Sequence, residues 1–282
     1  MVQLTPLGPI DYLLIGHITQ DITESGPRLG GTITYSSLTA RALGLRVGIV
    51  TSWGEEIPIG PLGEFPLVNA RTVNSTTFEN IATPEGRIQF IYHVANTLDL
   101  NLIPEPWLNT PIVHLGPVAQ EVEPGLIRRF NNTFVGVTPQ GWLRAWDTSG
   151  RVIPSEWPEA AFVLQHAGAA VISSEDVGGD EARIEELASA CRVLAVTENN
   201  TGVRLFWNGD VRRFRAPSVE VVDSTGAGDI FATAFFFRLF ATRDPWEAAR
   251  FATQLATISV TRPGLEGIPT EDDIQDSLVE VL

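Results

Sequence analysis

The sequence predicts a doubly wound α/β fold: a mostly parallel sheet with helices on both faces, plus a small β lid. Three observations point there. Short apolar, β-branched runs alternate with helix-period segments, the mark of strands buried on both faces. Two stretches, 19–29 and 76–100, break that pattern. The first is polar and punctuated, and the second alternates apolar with polar residues, as in Gly86-Arg87-Ile88-Gln89-Phe90-Ile91-Tyr92-His93-Val94. Finally, the glycine-rich turn Gly226-Ala227-Gly228-Asp229 leads into 230–237, a segment apolar nearly all round.

Taken in order, 12–16 reads as a first buried strand and 34–43 as a helix entered through Gly30-Gly31 and ended near Gly44. Residues 47–51 form a second strand, and the proline-rich 56–66 is a loop. Further strands are expected at 112–115, 134–137, 170–172 and 193–196, with helices at 181–190 and 246–260. Val221-Val222 reads as the end of another strand, running into the glycine turn. The whole of 1–282 reads as one α/β domain, with lid excursions at about 17–30 and 76–100 whose strands pair antiparallel and project over the carboxyl ends of the sheet. A plain edge hairpin is the alternative for 76–100.

Composition narrows the function. The formal charge is −15, which argues against nucleic acid or an anionic membrane surface as partner. No apolar run is long enough to span a bilayer, and 1–9 lacks a leader pattern. Cys191 is the single cysteine, so no intrachain disulfide forms, and a cytoplasmic location is expected. Lysine is absent and all 19 basic residues are arginine, which excludes a lysine P-loop and Schiff-base chemistry. His17, His93, His114 and His166 are scattered without metal-ligand spacing, which leaves a metal hydrolase with little support. His17 and His114 each sit at a strand end, within reach of a substrate site.

The turn carries the chemistry. Glycines let a backbone approach a ligand closely, and the free N–H groups of a helix start attract anions. Asp229 places a carboxylate beside that anion site. A general base is the best use for such an acid: it takes a proton from a hydroxyl while the amides hold a transferring phosphoryl group. A capped surface loop is the bland alternative for a bare G-x-G-D.

These residues together resemble the PfkB or ribokinase-type carbohydrate kinases, over nearly the whole chain. Gly16-His17-Ile18-Thr19-Gln20-Asp21 resembles the family's first strand and substrate-binding Asp, and Gly30-Gly31-Thr32 its di-glycine turn. The run from Asp223 to Asp229 resembles its phosphate-binding motif, and Thr261-Arg262-Pro263-Gly264 with Ile268-Pro269-Thr270 its C-terminal stretch. The resemblance implies a ribokinase-like fold and ATP-dependent phosphoryl transfer to a hydroxyl. Asp229 would be the base, with the amides of Gly226, Ala227 and Gly228 and the side chain of Arg144 on the phosphates. Asp21, Gly30, Gly31, Thr32, Tyr35, Gln140 and Asp229 would face the acceptor. Thr197, Asn199, Gly202, Thr225, Gly228, Thr253 and Ser259 would line the nucleotide site. Mg²⁺ would be bound mostly through water, with Asp176 in the acidic role, and a monovalent cation belongs to some members.

The sequence also departs from the family. Ser173-Ser174-Glu175-Asp176 stands in place of N-x-x-E, Asn199 replaces a loop glycine, Tyr35 stands where many members place a sugar-binding Asn, and Thr233 replaces a small residue. The segments Thr76-Thr77-Phe78-Glu79-Asn80, His114-Leu115-Gly116-Pro117-Val118 and Gln140-x-x-x-Arg144 resemble the myo-inositol kinase-like branch. A sugar or polyol is therefore the expected acceptor, with a nucleoside as the alternative. In that case Phe90, Tyr92 and Trp53 would supply stacking. A ligand-binding regulatory protein on a kinase fold is a reading from a different class. Members often pair through their lids, so the resemblance implies a homodimer built there.

Overall fold

Every other residue of the first strand faces the same layer, and both layers are apolar. The computed structural model describes residues 7–278 except 25, 57, 84 and 85. Residues 1–6, most of the 1–9 segment expected to lack a leader, lie outside the described residues. In β1 (Tyr12–Ile15), Leu13 and Ile15 join one core cluster, while Tyr12 and Leu14 join another on the opposite face. The chain then leaves the sheet as β2 (Thr19–Thr23) and β3 (Gly26–Gly30), and returns through α1 (Gly31–Ala42), β4 (Val47–Thr51) and β5 (Leu67–Asn69). It leaves again as β6 (Thr76–Thr83) and β7 (Gly86–His93), and comes back at β8 (Ile112–Leu115) and β9 (Phe134–Val137).

A small antiparallel pair, β10 (Arg144–Trp146) and β11 (Val152–Pro154), precedes α2 (Ala160–His166) and β12 (Ala169–Ser173). Then follow α3 (Glu181–Ala190), β13 (Val193–Thr197), and the hairpin of β14 (Val203–Trp207) and β15 (Asp210–Phe214). The chain closes with α4 (Ala227–Thr242), α5 (Pro245–Ser259) and α6 (Glu271–Leu278). Asp180 and Asp244 cap α3 and α5 by accepting backbone N–H bonds, and Pro245 opens the latter.

The nine-stranded sheet has the order β15-β14-β13-β12-β9-β8-β1-β4-β5. It is parallel from β13 to β5 and antiparallel only at the β14–β15 edge. Ile33 and Leu38 of α1 and the apolar length of α4 and α5 cover one face, and Val163, Leu164, Ile184 and Leu187 of α2 and α3 cover the other. A doubly wound sheet opens its ligand crevice beyond the carboxyl ends of its strands.

A four-stranded lid of order β3-β2-β6-β7 stands at that end. Its pairing corrects the expected wholly antiparallel arrangement: β2 and β6 run parallel, because both enter the lid from the core edge. Thr19 to Ile22 pair with Thr76 to Glu79. Asp21 lies between Arg28 and Phe78 in one cross-strand row. Among the described residues, no helix is long and apolar enough to cross a membrane.

A second correction concerns 215–226. The Val221-Val222 run is not a strand end but an extended loop over the end of α5, where the amides of Val222 and Asp223 both donate to the Val260 carbonyl (2.8 and 3.2 Å). Val219, Val221 and Val222 of this loop stay exposed.

Candidate active site

The start of α4 follows from its turn. Gly226 is the N-cap at φ 78°, a left-handed conformation that glycine adopts without penalty. A Cβ there would also lie 2.1 Å from the Tyr35 ring, so the turn rests directly on α1. The amides of Gly226 and Gly228 have no protein hydrogen-bond partner among the described residues, whereas Ala227 N–H closes a 3.3 Å turn bond to the Ser224 carbonyl. The cup expected from three amides therefore holds two open ones in this conformation. Asp223 stabilises the turn from the other side. Its carboxylate accepts from Thr225 N and Gly264 N, both at 2.9 Å. Burial works against its charge, but these bonds and the field of Arg28 hold its pKa below the usual value.

Asp229 is half-buried in the first turn of α4. Burial is the main cause that lifts its carboxyl to about 6. The Thr32 hydroxyl donates to it and Arg144 attracts its charge, both opposing the rise; Asp176 and Asp21 add to it by repulsion. Four elements thus converge: β2 with Asp21, the start of α1 with Thr32, β10 with Arg144, and the turn after β12 with Asp176. Thr32 is buried, and a Cβ on Gly116 would meet its methyl group at 2.7 Å, so β8 and α1 close tightly behind the acid.

Beneath the lid the packing is built around Asp21, the residue expected to face an acceptor. A Cβ on Gly30 would fall 2.2 Å from Asp21 Oδ2, so that glycine is what lets the carboxylate lie flat against the turn. Gly31 has φ 82°, and a Cβ there would meet the His17 carbonyl oxygen at 3.0 Å. Tyr35 is buried, and its hydroxyl is pushed above the usual range, by burial first and then by the charges of Asp223, Asp229 and Asp21. Gln140 donates from Nε2 to Asp176 Oδ1 at 3.2 Å. Asp176 Oδ2 accepts from Ser173 N at 2.8 Å, completing a capping box. Burial raises the Asp176 pKa, and Arg144 opposes that rise. Arg144 reaches the Val118 carbonyl from Nη1 at 3.5 Å.

In the loop expected to face a nucleotide, Asn199 takes φ 50° in place of a loop glycine, and Gly202 takes φ 103°, where a Cβ would meet the Phe214 carbonyl oxygen at 2.0 Å. Asn199 also donates from Nδ2 to Glu175 Oε1 at 2.8 Å, tying this loop to the Asp176 turn, a contact that no local pattern signals. Thr197 donates to the Ile172 carbonyl at 3.3 Å, and Thr225 is exposed. Thr253 and Ser259 are buried and donate to Ala249 and Ala256 of their own helix, which commits both hydroxyls to α5. The two strand-end histidines are withdrawn from any substrate: His17 and His114 are both fully buried, and burial pulls the His114 ring down to about 3.

Among the described residues, no group of three or more His, Cys, Asp or Glu side chains is placed to hold a metal ion. The acids present fit a weaker arrangement. Asp176 and Asp229 repel each other in a poorly solvated cleft, and each retains free lone pairs. A cation shared between donor oxygens and the waters of Asp176 would relieve that repulsion.

Comparison with known proteins places the fold. Residues 153–272 match the pfkB family carbohydrate kinases. A cytidine kinase of Thermococcus kodakarensis is 25% identical over 272 residues, covering 88% of this chain and 95% of that protein. A ribokinase of Bacillus subtilis is 38% identical over 97 residues, covering 33% of this chain and 32% of its own length. A pyrophosphate-dependent kinase in the ribokinase family, solved with a pyrophosphate analog and myo-inositol, superposes with a TM-score of 0.78 at 18% identity, over 95% of this chain and 100% of that one. The last likeness is one of fold.

Proposed function

We propose that this chain, which carries a PfkB-family carbohydrate kinase domain on a ribokinase-like fold, transfers the γ-phosphoryl group of ATP to a hydroxyl of a sugar or polyol, with myo-inositol the favoured acceptor. One observation carries the reading: a desolvated carboxylate, Asp229, held by Thr32 at a helix start beside the open amides of Gly226 and Gly228. The acceptor lies under the lid with hydroxyls on Asp21. Its reacting hydroxyl gives its proton to Asp229 while the oxygen bonds to the terminal phosphorus. The bond from that phosphorus to the bridging oxygen breaks, and the electron pair leaves on the diphosphate. The two amides and Arg144 stabilise charge on the transferring group, and in-line placement supplies much of the remainder. A magnesium ion, when bound, neutralises charge on the phosphate oxygens; Asp176 is the residue that would hold its waters.

Val219, Val221 and Val222 are exposed on the loop that leads into the glycine turn, apolar surface a nucleobase could cover, which supports a nucleotide donor over bare pyrophosphate. A nucleoside acceptor is the second reading, favoured by the cytidine kinase that matches along most of the chain. Exposed Ile22, Ile81 and Tyr92 on the lid support a homodimer formed there. Turnover is measured over a panel of polyols, sugars and nucleosides with ATP or pyrophosphate, beside Asp229→Asn. Turnover of one acceptor class, reduced about 10²–10⁴-fold in the variant, supports the assignment. Full activity in Asp229→Asn removes the base, and tight binding without turnover favours a regulatory role.

A further inference from the structure

The chain crosses between sheet and lid four times: at 16–18, at Gly30-Gly31, at Ser75-Thr76 and at 94–96. All four crossings meet at His17, whose ring is fully buried and touches no reacting group. His17 Nδ1 lies 2.6 Å from Thr76 Oγ1, at the entry to β6. Its Nε2 lies 2.9 Å from the Asn96 carbonyl oxygen, just past β7. Its own carbonyl abuts Gly31, at the exit from β3. Its backbone N–H donates to Glu121 Oε1 at 3.0 Å, and the same carboxylate accepts from Val118 and Ala119 of the core.

With the ring neutral the donors and acceptors close one way, while a protonated ring would face Glu121 Oε1 from Nδ1 at 4.0 Å. Ala95 N–H donates to Thr76 Oγ1 at 3.0 Å, Thr76 donates its single proton to Nδ1, and Nε2–H donates to Asn96. Nothing in the chemistry of transfer uses this ring, yet it ties the leg at 16–18 to those at Thr76 and Asn96 of the lid that carries Asp21.

We infer that His17 is a positioning residue: it sets how the lid stands over the cleft, and so governs acceptor binding through Asp21 while leaving the donor cup untouched. This rests on the reading that Asp21 grips the acceptor; the joint itself is tested separately.

The experiment compares the full chain with His17→Leu, which fills the space without hydrogen bonds, and His17→Asn, whose amide oxygen restores an acceptor for Thr76. Hydrogen exchange by mass spectrometry is read for the lid (19–30 and 76–93) and for β8, β9 and β12. Steady-state constants are taken with the acceptor found above. In His17→Leu, lid exchange rises about tenfold with core exchange unchanged, acceptor KM rises about tenfold, and donor KM stays within about twofold. His17→Asn recovers part of each change. Unchanged lid exchange, lid and core speeding up together, or equal rises in both KM values would overturn the inference. So would an acceptor KM that stays put while the lid loosens. Should His17→Leu not fold, Thr76→Val removes one hydroxyl and must give the same lid-only pattern at about threefold, and its absence overturns the inference equally. If no acceptor on the panel is turned over, the proposed reaction fails while lid exchange still decides the joint.

Discussion

If Asp229 is the base proposed above, its burial cost sets the working pH. Its carboxyl titrates near 6 because the cleft solvates it poorly. A base must be ionised, so kcat/KM is full above about pH 7 and falls with unit slope as pH drops through about 6. The same shift has the opposite sign for stability. A carboxyl whose folded value is raised contributes stability below its unfolded value near 3.8, and that contribution is lost as pH rises through about 6. Asp229→Asn therefore melts a few degrees above the parent at pH 8, and the gap fades below about pH 4; thermal melts across that range check it. The acid and its glycine turn were legible in the sequence because they are contiguous. The Thr32 bond was not, because it exists only once the starts of α1 and α4 meet across the sheet.

Elements were legible to the extent that their pattern is local. The strands at 47–51, 112–115 and 134–137 and the helix at 181–190 coincide with β4, β8, β9 and α3, since period and caps mark them. Val221-Val222 misled because β-branched residues read as strand wherever they occur; what decides the matter is the Val260 carbonyl, far along the chain. The lid pairing misled for a similar reason: alternation fixes a face but says nothing of a neighbour's direction. Glu121 gave no sequence signal at all, yet it joins β1 to the loop after β8. It is buried, and three backbone amides depend on it. Glu121→Ala orphans those amides at a cost of about 3–5 kcal/mol, whereas exposed Glu123→Ala costs under about 0.5 kcal/mol; urea melts of the pair test the contrast.

Across the whole molecule, the alternation of strands and helices was enough to read a doubly wound sheet, and the two breaks in it were enough to read a lid. The strand order was not readable, because it joins β1 to β8 across nearly a hundred residues of chain. The clustering of four acids and Arg144 at one end of the sheet is likewise a product of topology. The bare loop beside α5 has an experimental use. This chain contains no lysine, so trypsin cuts it only after arginine, and exposed Arg215 opens directly onto the three exposed valines. A donor with a base lying on those valines should protect that bond from cleavage, while pyrophosphate, ending at the amide cup, should leave it open. A timed digest would then show which phosphoryl donor the protein accepts before any acceptor is known, and equal cleavage with ATP and with pyrophosphate would take the nucleobase off that face.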